Sequence, residues 1–222
     1  MPIADMLAYS PPLPLIINYK GTDITAGDKE AMILVLGQQD CVQHIQFYLP
    51  VLKLQKLITA IDGAYPILKY LILWDPHEDK SMVLILPRML QTPYLCHLVV
   101  NCSIQIPIWS LLLGTSVGLV TLYLWLHYQS TYMHLTVLHQ WLLLMPQLEI
   151  LGIFFLFAVS NCNVERQLMH IPIITYITLS NLCTFCLKAV SAYSKAIFSW
   201  STAPHLKEFQ INYPKQLTFS VL

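Results

Sequence analysis

Seven times along this 222-residue chain an apolar residue is followed, after two variable positions, by a second apolar residue and, after one more, by a third. The copies are Val42, Ile45 and Phe47; Leu68, Leu71 and Leu73; Leu95, Leu98 and Val100; Leu119, Leu122 and Leu124; Leu148, Leu151 and Ile153; Leu182, Phe185 and Leu187; and Leu206, Phe209 and Ile211. Their first positions fall 26, 27, 24, 29, 34 and 24 residues apart. The end of each copy alternates apolar and variable, the period of a strand with one buried face. A strand of that length cannot cover its own apolar edge, so the recurrence asks for neighbours that stack.

Four copies carry a proline two residues before their first position: Pro66, Pro93, Pro146 and Pro204. Proline removes a backbone donor and biases its predecessor to extended geometry, so the chain is expected to enter a strand there. Helical stripes lie between the strands. Val51, Leu54, Leu57, Ile58 and Ile61 share one face and end at Asp62-Gly63; Leu135, Leu138, Leu142 and Met145 end at Pro146; Tyr193, Ile197 and Trp200 precede Pro204.

Strand, then helix or loop, then strand at this spacing predicts an α/β chain. The specific form expected is an irregular leucine-rich-repeat-like solenoid, with parallel strands on the concave side and helices and loops outside. An ordinary α/β sheet whose strands contain leucine is the alternative. The asparagine that a regular repeat places three residues past the last leucine is replaced by Pro50, Pro76, Ser103, His127, Leu156, Val190 and Pro214, so the arc is expected to be irregular. Residues 1–40 are expected to form an N-terminal segment and 41–222 the repeat-like domain.

With 56% apolar and only 11% charged residues, and no Lys, Arg, Asp or Glu from Met89 to Leu148, a rival reading is an integral membrane protein. Its one or two spans would lie near 108–126 and 141–159. Ser110, Gly114, Thr115, Ser116, Gly118 and Thr121 interrupt the first, and Leu122, Leu124 and Leu126 alternate as in a strand. Pro146 and Glu149 interrupt the second, and a carboxylate at that depth costs about 2.5–3.5 kcal/mol. Twelve basic and twelve acidic residues cancel, leaving no field to hold nucleic acid or an anionic membrane. Neither is expected as a partner. Six irregularly spaced cysteines and a start without a secretory pattern point to a reducing compartment, cytoplasmic or nuclear.

Catalytic signals are sparse. After Asp79 the carboxylates are Glu149, Glu165 and Glu208, too scattered to form an acid–base pair. His127, His134 and His139 lack the spacing of a helical zinc pair. Cys183-x-x-Cys186 has no second pair, and alternation in a strand would turn the two cysteines to opposite faces. No glycine spacing cradles a phosphate. No catalytic residue, cofactor or metal site is expected, and the chain reads as a non-enzyme.

Four stretches carry a likeness: Pro2-Ile-Ala-Asp-Met-Leu-Ala-Tyr-Ser-Pro-Pro-Leu-Pro-Leu-Ile-Ile, Val51-Leu-Lys-Leu-Gln-Lys-Leu-Ile-Thr-Ala-Ile-Asp-Gly, Thr92-Pro-Tyr-Leu-Cys-His-Leu-Val-Val and Leu144-Met-Pro-Gln-Leu-Glu-Ile-Leu-Gly-Ile. They resemble a large fungal family of F-box proteins with leucine-rich-repeat-like C-terminal regions. In that family an F-box binds the Skp-type adaptor of a cullin ubiquitin ligase, and the repeat region recruits a substrate. The resemblance implies a non-catalytic protein-interaction module that recognises a protein substrate of a ubiquitin ligase. No Leu-Pro-x-Glu-like F-box opening is present, so the adaptor is implied as a partner only if the full-length protein carries an F-box.

If the apolar strand residues point inward, alternation sends their neighbours to the concave face. In the middle units these neighbours are Tyr70, Ile72 and Trp74; Thr121, Tyr123 and Trp125; and Ile150, Gly152 and Phe154. Tyrosine and tryptophan are enriched among interface hot spots, so Tyr70, Trp74, Tyr123, Trp125 and Phe154 are the partner-binding candidates.

Overall fold

In the computed structural model, residues 13–76, 83–87, 89–102, 112–126, 133–155, 175–189, 191–213 and 218–221 are described. Pro2 to Pro12, Ser103, His127, Leu156, Cys162, Glu165, Val190 and Pro214 lie outside them, as do residues 108–111 and 156–159 of the two expected spans.

Each copy of the pattern supplies one strand. They are β2 (Val42–Tyr48), β3 (Tyr70–Trp74), β4 (His97–Asn101), β5 (Thr121–Leu126), β6 (Ile150–Phe155), β8 (Thr184–Lys188) and β10 (Glu208–Asn212). An earlier strand, β1 (Leu15–Lys20), and a later one, β11 (Thr218–Val221), complete a nine-stranded sheet of order β1-β2-β3-β4-β5-β6-β8-β10-β11. The first eight run parallel, and β11 pairs antiparallel to β10. A separate parallel pair joins β7 (Ile177–Thr178) to β9 (Ser201–Thr202).

The register aligns the pattern with itself. Ile45, Leu71, Leu98, Leu122, Leu151, Phe185 and Phe209 face one another strand by strand, and so do Phe47, Leu73, Val100, Leu124, Ile153, Leu187 and Ile211. Both rows are buried except for the half-buried Phe209. Full burial of such a side chain is worth about 1.5–3 kcal/mol, so a slip of one residue would expose a whole row and forfeit it.

Entry to the strands is equally periodic. The amides of Leu68, Leu95, Leu119, Leu148, Leu182 and Leu206 donate to the carbonyls of Tyr65, Thr92, Ser116, Met145, Leu179 and Ala203, at 3.1–3.3 Å. Pro66, Pro93, Pro146 and Pro204 therefore stand second in a four-residue turn, where their fixed φ is favoured. Proline here shapes the turn ahead of the strand; its extended predecessor is the lesser part. Just past the first five of these turns, the carbonyls of Lys69, Cys96, Val120, Glu149 and Cys183 each accept two successive amides of the next unit, at 2.8–3.0 Å.

Four longer helices cover one side: α1 (Ala26–Leu36), α2 (Val51–Ile58), α3 (Leu135–Leu143) and α4 (Ser191–Trp200). The last three carry the expected stripes, burying Leu54, Leu57 and Ile58 from α2, Leu138 and Leu142 from α3, and Tyr193 and Ile197 from α4. Helix α1 opens on Thr25, whose hydroxyl accepts the Asp28 amide at 3.1 Å. Past α2 the chain turns at Gly63, whose φ of +144° disfavours a side chain. The core is the layer between these helices and the inward rows of the sheet.

The alternative membrane reading meets strands where it placed its spans. Residues 121–126 form β5 and 150–155 form β6, so the described part of neither stretch is one continuous helix. Among the described residues no helix is long and apolar enough to cross a membrane.

Candidate functional site

Alternation turns a second set of side chains away from the helices, and parallel register lines them up in three rows. Nearest the strand starts are Ile16, His44, Tyr70, His97, Thr121, Ile150, Thr184 and Glu208. The middle row is Asn18, Gln46, Ile72, Val99, Tyr123, Gly152, Cys186 and Gln210, and the row at the strand ends is Lys20, Tyr48, Trp74, Asn101, Trp125, Phe154, Lys188 and Asn212.

Four of the five expected partner-binding residues come together. Trp125 stacks on Phe154 at 4.8 Å between centroids and 11° between planes, and Tyr123 stacks on Trp125 at 5.5 Å. Tyr123 also lies near-parallel to Phe154 at 6.3 Å. Trp74 meets Trp125 at 5.4 Å although β4 runs between their strands, and Tyr48 continues the line at 6.0 Å from Trp74. Strands two apart are about 9.6 Å distant, so the two indoles lean toward each other over the smaller Asn101. Asn101 is accordingly buried, although its place in the row would expose it.

Tyr70, the fifth expected residue, is not part of this cluster. Its ring is sandwiched between His44, at 5.0 Å and 23°, and His97, at 4.4 Å and 4°. His97 Nδ1 lies 3.0 Å from Thr121 Oγ1. Burial holds the His97 imidazole below the ordinary histidine range; nearby Glu149 opposes that shift and His44 adds to it. His97 is therefore neutral at pH 7, and a flat neutral ring stacks on tyrosine without the cost of burying a charge.

The cluster depends on a residue the alternation alone does not single out. A Cβ built on Gly152 would collide with the Tyr123 ring and fall 2.9 Å from Phe154 Cε2. Gly152 thus leaves the floor on which Tyr123 lies flat. The missed signal was a glycine inside a strand pattern, which marks a close approach. The edge contribution of β1 was missed too, although Leu15-Ile-Ile-Asn-Tyr-Lys20 alternates in the same way.

This face offers shape and apolar surface, with no activated nucleophile among its described groups. Burial, with a smaller push from Glu208, raises the Cys186 thiol above its usual range, and Cys186 Sγ lies 3.8 Å from Gln210 Oε1. Burial likewise raises the Tyr123 phenol, so both stay protonated at neutral pH. Cys183 stands just before β8 with its thiol toward the Asn181 carbonyl, so it shares no partner with Cys186. His134 contacts Thr136 and His139 contacts Thr175. Among the described residues no group of three or more His, Cys, Asp or Glu could hold a metal ion.

No protein-family model, no curated protein and no solved structure matches this chain.

Proposed function

We propose that this chain is a non-catalytic protein-interaction module, an irregular leucine-rich-repeat-like solenoid that acts as the substrate-recognition region of an F-box-type ubiquitin-ligase subunit. The observation that carries the interaction role is the half-buried aromatic cluster of Trp74, Tyr123, Trp125 and Phe154 on the face turned away from the helices. Rings of this kind supply large rigid contact area at small entropic cost, and they dominate binding energy where they are found at interfaces. The in-register stacking of seven pattern copies in chain order supports the repeat reading. The ubiquitin-ligase role rests on the sequence resemblance, with adaptor binding proposed only if the full-length protein carries an F-box. A cytoplasmic or nuclear setting is proposed with it.

The test is proximity labelling around the full-length protein and its Trp74→Ala/Trp125→Ala variant. Adaptor and cullin subunits are expected around both, with a set of neighbours lost from the variant. Each substitution should weaken capture of such a partner by more than about 1 kcal/mol. Absence of any ligase subunit around the wild type removes the ligase assignment, and identical neighbours around the two forms remove the aromatic face.

A further inference from the structure

The row at the strand ends has an order that the cluster alone does not reveal. Lys20 on β1 stands at one end, with its Nζ 6.0 Å from the Tyr48 ring centre. Lys188 on β8 stands at the other, in register with Phe154. Between them lie Tyr48, Trp74, Trp125 and Phe154. Among the described residues no carboxylate occupies this row; Asp75, next to Trp74, is buried, and Glu208 belongs to the row at the strand starts.

A ligand following this row crosses the strands at right angles. It cannot extend the sheet by backbone pairing, because the backbone groups along its path are already spent on neighbouring strands. The rings offer few acceptors, so an ordinary peptide would leave its own amides unpaired against them. A proline-rich segment avoids that cost: proline has no amide donor, and the polyproline II helix is extended without internal or lateral backbone bonds. Aromatic-lined grooves recognise such segments for this reason.

The two lysines fix the ends. Six strand spacings of about 4.8 Å separate β1 from β8, a span of about 29 Å. A polyproline II segment rises about 3.1 Å per residue, so about nine residues cover it. Single-stranded nucleic acid, the other polymer that aromatic surfaces attract, would need a cation for each successive phosphate and free ring faces for its bases. Here the lysines are at the ends only, so the phosphates between them would meet no cation in the row.

We infer that the row from Lys20 to Lys188 binds an extended proline-rich segment of another polypeptide that carries an acidic side chain at each end, about nine residues apart. This rests on the reading of the open face as the partner-binding surface, and adds the chemistry of what is bound.

The experiment measures fluorescence anisotropy of a labelled peptide with two glutamates about nine residues apart and a run of prolines between them. The whole chain is titrated at low salt. Glutamine in place of each glutamate should weaken binding about threefold, and so should Lys20→Gln and Lys188→Gln, the range of a solvent-exposed charge pair. Lysine-ended peptides should bind least, and added salt should erase the differences. Equal affinity for glutamate-, glutamine- and lysine-ended peptides overturns the inference, as does a uridine oligonucleotide that displaces the peptide at lower concentration than the peptide displaces itself. No binding of the glutamate-ended peptide also overturns it; if partner capture then still depends on Trp74 and Trp125, the interaction reading stands without this ligand. A peptide that binds as expected while capture ignores both tryptophans supports the inference and removes the broader reading.

Discussion

The two faces of the parallel sheet are made by the same strands and obey different rules. Toward the helices, each strand places leucine, isoleucine, valine or phenylalanine in rows whose members are nearly interchangeable. On the other side, no two adjacent strands carry the same residue in the row at the strand ends. Volume and register decide the inner face, and any branched apolar residue that fills the space will serve. On the open face, individual identity matters: Gly152 is small because Tyr123 lies over it, and Asn101 is small because two indoles close above it.

The contrast breaks most visibly from the inside. Leu122→Ala empties a fully buried position in the middle of the sheet and should cost about 2–5 kcal/mol, read as a fall in the urea midpoint. A cost below that of any open-face substitution would mean that the inner rows do not dominate stability. Gly152→Val should come next, at about 1–3 kcal/mol, with loss of near-ultraviolet circular dichroism as the stacked rings disperse. Combining it with Tyr123→Ala should recover most of the stability, because the collision partner is gone. If the double variant is no better than the sum of the singles, the glycine is not there for the ring.

A smaller effect is expected where a polar group is held inside the core. The Tyr65 hydroxyl donates to the Leu36 carbonyl at 2.9 Å, at the end of α1, and burial pushes its pKa up to about 12. Tyr65→Phe should cost about 1 kcal/mol by leaving that carbonyl without its donor. The unfolded chain ionises this phenol first, so its contribution is complete below pH 10.0 and is lost as pH rises through about 12. Spectrophotometric titration that finds every tyrosine near the ordinary value would contradict this.

The smallest expected effect belongs to His97. Its folded pKa is depressed, so the stability linked to it is complete above the ordinary 6.5 and falls as pH drops through the folded value. Proton NMR should show this ring titrating below 6.5; a midpoint at or above it would mean that the imidazole in the Tyr70 stack carries a charge.

Much of the inner face could be read before any coordinates. The spaced leucines mark seven strands, and the stripes beginning at Val51, Leu135 and Tyr193 mark three helices, because burial on one side imposes a period that composition cannot hide. Helix α1 was illegible for the same reason: Leu36 is its only buried residue, so its sequence carries little stripe, and only Thr25 three residues before Asp28 hints at its start. The prolines were legible as boundaries, but their position inside a turn needed the hydrogen bond that closes it. On the open face, alternation located Trp74, Tyr123, Trp125 and Phe154, and it put Tyr70 on the same face but at an earlier place in its unit, without showing what that place meets. It meets His44 and His97, which reach Tyr70 only through register.

Because β2 through β5 each pair in the sheet only with the strands just before and after them in the chain, and β6 passes over only the short β7 to reach β8, no backbone pairing among the described strands of this sheet clamps it across its width. Tension applied through β1 and β10 would load one strand boundary at a time, as in opening a zipper. Extension should then come in modest steps, each freeing one stretch of about 24 to 34 residues, and the molecule should yield gradually where a sheet of interleaved strand order would hold and then rupture.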